Sequence, residues 1–86
     1  MNTIATVETA KGKLRYILFS TNSDGFTHYG ITVNSTLFGD ETATLSDIST
    51  DELFTKRLML MLADNLVLPS TFKEVVEEYV SATMTV

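Results

Sequence analysis

The sequence predicts an α+β fold: an antiparallel β-meander of three to four strands followed by a C-terminal two-helix hairpin packed on one sheet face. Three observations carry that expectation. Ten of the fourteen Thr lie at or before Thr50, where they alternate with Ile, Val, Tyr and Phe. β-Branched and aromatic residues at period two mark half-buried strands. Beyond Thr50 the apolar period becomes helical and Gly disappears. Strands followed by helices in one short chain place the helices over one face of an antiparallel sheet. At 86 residues the chain is too short for two domains, so 1–86 reads as one.

The strands are expected over about 2–10, 13–21, 26–35 and 41–46. Asp24-Gly25 is the strongest turn signal and closes the second hairpin as a two-residue loop. That loop sets Leu18 opposite Ile31, Tyr16 opposite Val33 and Ser20 opposite Tyr29. With Lys11-Gly12 as the first loop, Val7 faces Tyr16, Ala5 faces Leu18 and Thr9 faces Leu14. Both registers turn the same side of the second strand inward, as one sheet requires. They also set Glu8 opposite Arg15, an opposite-charge pair. Phe19 falls beside Gly30, where a ring can cover bare backbone. The fourth strand returns beside the third through the Leu37–Asp40 turn.

The helices are expected over about 50–66 and 69–82. Ser49 or Thr50 caps the first, with Ser49-x-x-Glu52 at capping-box spacing. Asp51 and Glu52 suit the positive end of a helix. Pro69 or Ser70 opens the second, and so short a link makes a helical hairpin. In the second helix Phe72, Val75, Val76, Tyr79 and Val80 form one stripe opposed by Glu74, Glu77, Glu78 and Ser81, which is a one-sided surface helix. The first is different. Phe54, Leu58, Met61, Leu62 and Leu66 share one face, while Leu53, Leu60 and Val67 recur at seven-residue spacing on nearly the opposite side, with Met59 between. A helix apolar almost all round needs more than one neighbour: the sheet and second helix, or a second copy of the chain.

Composition narrows the function classes. A net charge of −5 argues against nucleic acid, whose binding is driven by neutralising phosphates. Without Cys there are no disulfides, thiolate metal sites or Cys nucleophiles. MNTIATVETA has neither the basic nor the apolar region of a signal peptide. The longest apolar run, Leu58 to Ala63, falls far short of the roughly 20 residues that span a bilayer. A cytoplasmic location with no membrane association is the expectation.

Chemistry-bearing groups are sparse. His28 is the sole histidine and falls on the outer face of the third strand across from Thr21. A catalytic or ligating His needs partners, and Asp24, four residues away, sits at a hairpin tip. His28 therefore reads as a strand-surface residue. Asp40, Glu41, Asp47, Asp51 and Glu52 lack the spacing and central Gly of a calcium loop, and the last three read as favouring a helix start. Lys11, Lys13 and Arg15 lie near Tyr16 and Phe19, but those aromatics point to opposite faces, so no RNA-stacking platform forms. No catalytic residue, metal site or cofactor is expected.

Apolar surface is the remaining signal. With helices on the Tyr16 side, Ile4, Ile17 and Phe19 stay on the other face of the sheet, and Leu53, Leu60 and Val67 add a second stripe. Such patches mark partner surfaces. The expectation is a non-enzymatic interaction or regulatory module, a homo-oligomer (dimer) or the binder of a protein partner. The alternative is a binder of a small apolar or amphipathic ligand between sheet and helices, with Met59 and Met61 adapting to its shape.

Three segments resemble a family of short bacterial proteins, mainly from clostridia and related Firmicutes, grouped as domain of unknown function 6514. They are Tyr29-Gly30-Ile31, Asp47-Ile48-Ser49-Thr50, and Leu68-Pro69-Ser70-Thr71-Phe72-Lys73-Glu74-Val75-Val76-Glu77-Glu78-Tyr79. Their order and spacing cover about residues 14–82, while the Thr-rich fourth strand and Met/Leu-rich first helix depart from the family pattern. The resemblance implies the strand–helix–helix order and carries no activity, cofactor or site residue.

Overall fold

The computed structural model describes residues 3–84. Four antiparallel strands, β1 (Thr3–Thr9), β2 (Gly12–Ser23), β3 (Phe26–Ser35) and β4 (Glu41–Ser49), form one sheet in chain order. Two helices follow, α1 (Glu52–Asp64) and α2 (Pro69–Met84). The expected start of the first strand at residue 2 lies outside the described residues, and the fourth strand runs three residues further than its period-two pattern suggested.

The second hairpin has the expected register, with Leu18 opposite Ile31, Tyr16 opposite Val33 and Phe19 opposite Gly30. Asp24 and Gly25 both take positive φ, 52° and 80°, as a twist-matched two-residue turn demands. The first hairpin corrects the expectation by two residues. Thr9 pairs with Gly12, so Ala10-Lys11 is the loop, and Val7 lies opposite Leu14 rather than Tyr16. The reason is Gly12 itself. It is held at φ 156° under Thr36, whose Oγ1 would lie 2.8 Å from an added Cβ, so this glycine serves a close backbone approach in the strand instead of the turn. Glu8 consequently faces Lys13, not Arg15, at 3.6 Å. A shift of two preserves the alternation, so the inner and outer faces are as expected.

The core lies on one side of the sheet. Leu14, Tyr16, Leu18, Ile31 and Val33 meet Leu58, Met59, Leu62, Val67, Phe72 and Val76. α1 lies chiefly over β1 and β2, α2 over β3 and β4, and the helices touch where the Phe54 and Tyr79 rings stand 5.6 Å apart. The smallest dimension, 17 Å, suits one helix layer on one sheet.

α1 begins differently from the expectation. Asp51 is the N-cap, accepting the Phe54 N–H at 3.2 Å, while Ser49 Oγ accepts the Asp51 N–H at 3.0 Å. The inward stripe is Thr55, Leu58, Met59 and Leu62, at i, i+3, i+4 and i+7. Met59 is therefore core, whereas Leu66, expected on the inward face, is exposed. Thr55 is tolerated inside because its hydroxyl donates to the Asp51 carbonyl at 2.9 Å.

The helix also stops two residues early, and this moves Val67. Asn65 caps it and Leu66 adopts φ 51°, a left-handed turn. The Leu66 N–H then bonds to the Ala63 carbonyl and the Val67 N–H to the Leu62 carbonyl, the pattern of a Schellman cap. Val67 leaves the helical period at that turn and enters the core beside Leu62, only 7% exposed. It does not belong to an outer stripe with Leu53 and Leu60.

Candidate interaction surface

The open face of the sheet is built in rows set by strand register. At one end Glu8 pairs across β1–β2 with Lys13. The next row runs Thr6, Arg15, Asn34, Thr42, and is tied by the Thr42 hydroxyl donating to Asn34 Oδ1 at 2.9 Å. Then come Ile4, Ile17, Thr32 and Thr44, the last two joined hydroxyl to hydroxyl at 3.0 Å. Phe19 follows, lying over Gly30 so closely that a Cβ there would meet its Cζ at 2.6 Å and the Leu45 carbonyl at 2.5 Å. Three of the expected surface residues, Ile4, Ile17 and Phe19, are thus brought together on the face that no helix covers. Ile4 is 51% exposed, and Ile17 and Phe19 are half-buried by their neighbours.

Leu53 and Leu60 are 56% and 48% exposed on the outward side of α1. Lys56, Arg57 and Asp64, also exposed, share that helix surface, so this patch is small and edged by charge. Phe26 and Phe38, which sequence reasoning missed, are exposed at strand connections. Phe38 lies outside any amphipathic period, and Phe26 falls at the first residue of β3, on the parity of His28 and Gly30.

His28 acquires a partner that the sequence did not reveal. Between Tyr29 and Ile31 the β3–β4 register slips, and the resulting bulge carries Asp47 at φ 58°. Its Oδ1 comes within 2.7 Å of His28 Nδ1. The imidazole is largely buried and the carboxylate largely exposed. The two atoms lie at ion-pair distance without making a hydrogen bond, and no hydroxyl nucleophile is bonded to the ring among the described contacts. Among the described residues no group of three His, Cys, Asp or Glu is placed to hold a metal ion.

Among the described residues, the one strongly shifted acid lies in the core. The Tyr16 hydroxyl donates to the Val67 carbonyl at 2.9 Å, and burial pushes its pKa up to about 12. A cleft of about 280 Å³ opens between β4 and α2, with Leu45, Ile48, Val76 and Val80 in its walls. No described helix is long and apolar enough to cross a membrane.

A family of unknown function (DUF6514) matches residues 1–82 of the chain. No curated protein and no solved structure matches it.

Proposed function

The chain belongs to this family of unknown function (DUF6514), and we propose that it serves as a non-enzymatic interaction module that self-associates through the open side of its sheet. The observation that carries this reading is the gathering of Ile4, Ile17 and Phe19 on the face opposite both helices. A four-stranded sheet covered on one face has a second face to account for, and apolar residues clustered there favour a protein neighbour over water. The polar rows beside them would supply the rim that such interfaces have. The setting that goes with this function is the bacterial cytoplasm, in clostridia and related Firmicutes, an inference that rests on the resemblance of the three segments. Neither nucleic acid nor a membrane belongs to it, given the net charge of −5.

Ile4→Ser tests the reading. Ile4 is half exposed at the sheet margin, so its loss should lower stability by under about 1 kcal/mol while weakening association at least ten-fold. Association unchanged in Ile4→Ser would reject the open face. Leu60→Ser serves as the control, with association expected to persist.

A second reading has one observation in its favour. The β4–α2 cleft has apolar walls and approaches the size of small-ligand sites, which start at about 300 Å³. Asp47 and Glu77 also line the cleft, so a neutral amphipathic ligand such as a medium-chain alcohol would raise the melting temperature increasingly as its concentration exceeds its Kd. No shift at millimolar ligand would rule against it. Met59 and Met61 are not in the walls of this cleft, so they would not shape it.

A further inference from the structure

We propose that two copies of the chain join along β1, edge to edge and antiparallel, about a two-fold axis at Thr6, so that the two sheets become one. This rests on the reading of the chain as a self-associating module and places the seam at the Ile4 margin of the open face, with Ile17 and Phe19 remaining on the face of the joined sheet.

The sheet has two edges, and they differ. β4 carries the bulge at Asp47, whose left-handed backbone interrupts the row of outward groups and whose carboxylate is tied to His28. Bulges and charges of this kind keep an edge from pairing. β1 is less guarded: it has no bulge, and Glu8 is its one charge. It reads TIATVET, pairs with β2 without irregularity, and contains neither Pro nor Lys.

The direction of the β1 backbone groups follows from β2. The Lys13 carbonyl accepts the Thr36 N–H at 3.0 Å, and the Lys13 N–H donates to Thr36 Oγ1 at 2.9 Å, so Lys13 points its backbone toward β3. By alternation Leu14 and Tyr16 point theirs toward β1, where they meet Val7 and Ala5. The N–H and C=O groups of Ile4, Thr6 and Glu8 therefore face outward.

A second copy of the same strand satisfies these groups in one register. With the axis at Thr6, Thr6 faces Thr6 of the second copy and Ile4 faces its Glu8, giving about six backbone hydrogen bonds. An axis between two residues would put an inner side chain opposite an outer one, which the alternation forbids. An axis at Ala5 would pair only Ile4 with Thr6 and lose about two of those bonds.

Charge and packing agree. Glu8, the sole charge in β1, sits four positions from its counterpart along the seam, about 14 Å away. On the inner face Ala5 meets Val7 of the second copy. Both are half-buried at the rim of the core, so the seam joins the two cores. A strand this short buries less than the roughly 1,200 Å² of a standard interface, so the dimer should dissociate on dilution.

Position 6 tests the axis because it faces itself. Thr6→Lys and Thr6→Glu should each weaken self-association at least ten-fold, and an equimolar mixture of the two should regain a dimer at least as stable as wild type. The readout is sedimentation velocity on the full chain, with circular dichroism to check folding. Either variant dimerising like wild type would overturn the seam while leaving the self-associating module standing. A mixture that stays monomeric would overturn the two-fold register. A wild type that is monomeric at every concentration would overturn the seam and the module together. Hydrogen exchange on the wild type gives an answer that needs no variant: the Ile4, Thr6 and Glu8 amides should gain protection as concentration rises. If their exchange is independent of concentration in a dimer, the seam is wrong.

Discussion

Tyr16 ties the sheet to the chain reversal after α1, because its hydroxyl is buried and bonded to the Val67 carbonyl. Tyr16→Phe leaves that carbonyl without its partner and should cost about 1–3 kcal/mol in urea unfolding. The same burial predicts a pH dependence. The folded protein holds the phenol proton up to about pH 12, whereas the unfolded chain releases it near 10. The folded pKa is raised, so this contribution is whole below about pH 10 and is lost as pH rises toward 12. Wild type should lose stability steeply over that window, and Tyr16→Phe less so. Equal slopes would mean that Tyr16 is not the group responsible. Alternation alone put Tyr16 and Phe19 on opposite faces, with Phe19 beside Gly30; the helices settle that Tyr16 is the inward one. His28 was not, because its partner Asp47 arrives by a bulge, and nothing in the composition of β4 announces one.

Element ends were harder to read than element kinds, and the reasons are local. Helix α1 carries no Gly at its C-terminus to mark a stop, so in sequence its apolar period runs on through Leu66 to Val67. The chain instead places Leu66 at φ 51°, a conformation that costs an L-residue roughly 1–2 kcal/mol. Leu66→Gly should recover part of this and raise stability by about 1 kcal/mol, since the Leu66 side chain is exposed and contributes little packing. A destabilised Leu66→Gly protein would show that the cap is not strained as described. The first hairpin misleads for a related reason. Lys11-Gly12 looks like a turn dipeptide, but the glycine is needed one step later, beneath Thr36. At the N-terminus of α1 several acceptors compete, and Asp51 takes the capping role because Ser49 is already bonded to its backbone.

At the scale of the molecule, one layer of helices on one sheet leaves a face uncovered and the edges β1 and β4 without a further strand among the described residues, β1 being the less guarded. The grouping of Ile4, Ile17 and Phe19 on one face was legible in sequence, because alternation gives it whichever hairpin register holds, but which face the helices cover was not. The edge was not. Which strand is guarded depends on the Asp47 bulge, and which backbone groups point outward depends on the corrected position of the first turn. Leu53 and Leu60 were legible as an outward stripe, while Val67 was lost to the core once the helix ended early. The face and the edge meet at Ile4, and both readings require that the chain self-associate. Light scattering of the wild-type chain over a dilution series decides this. The mass should lie near twice the 9.5 kDa of one chain at high concentration and fall toward a single chain on dilution. A single-chain mass at every concentration would rule self-association out.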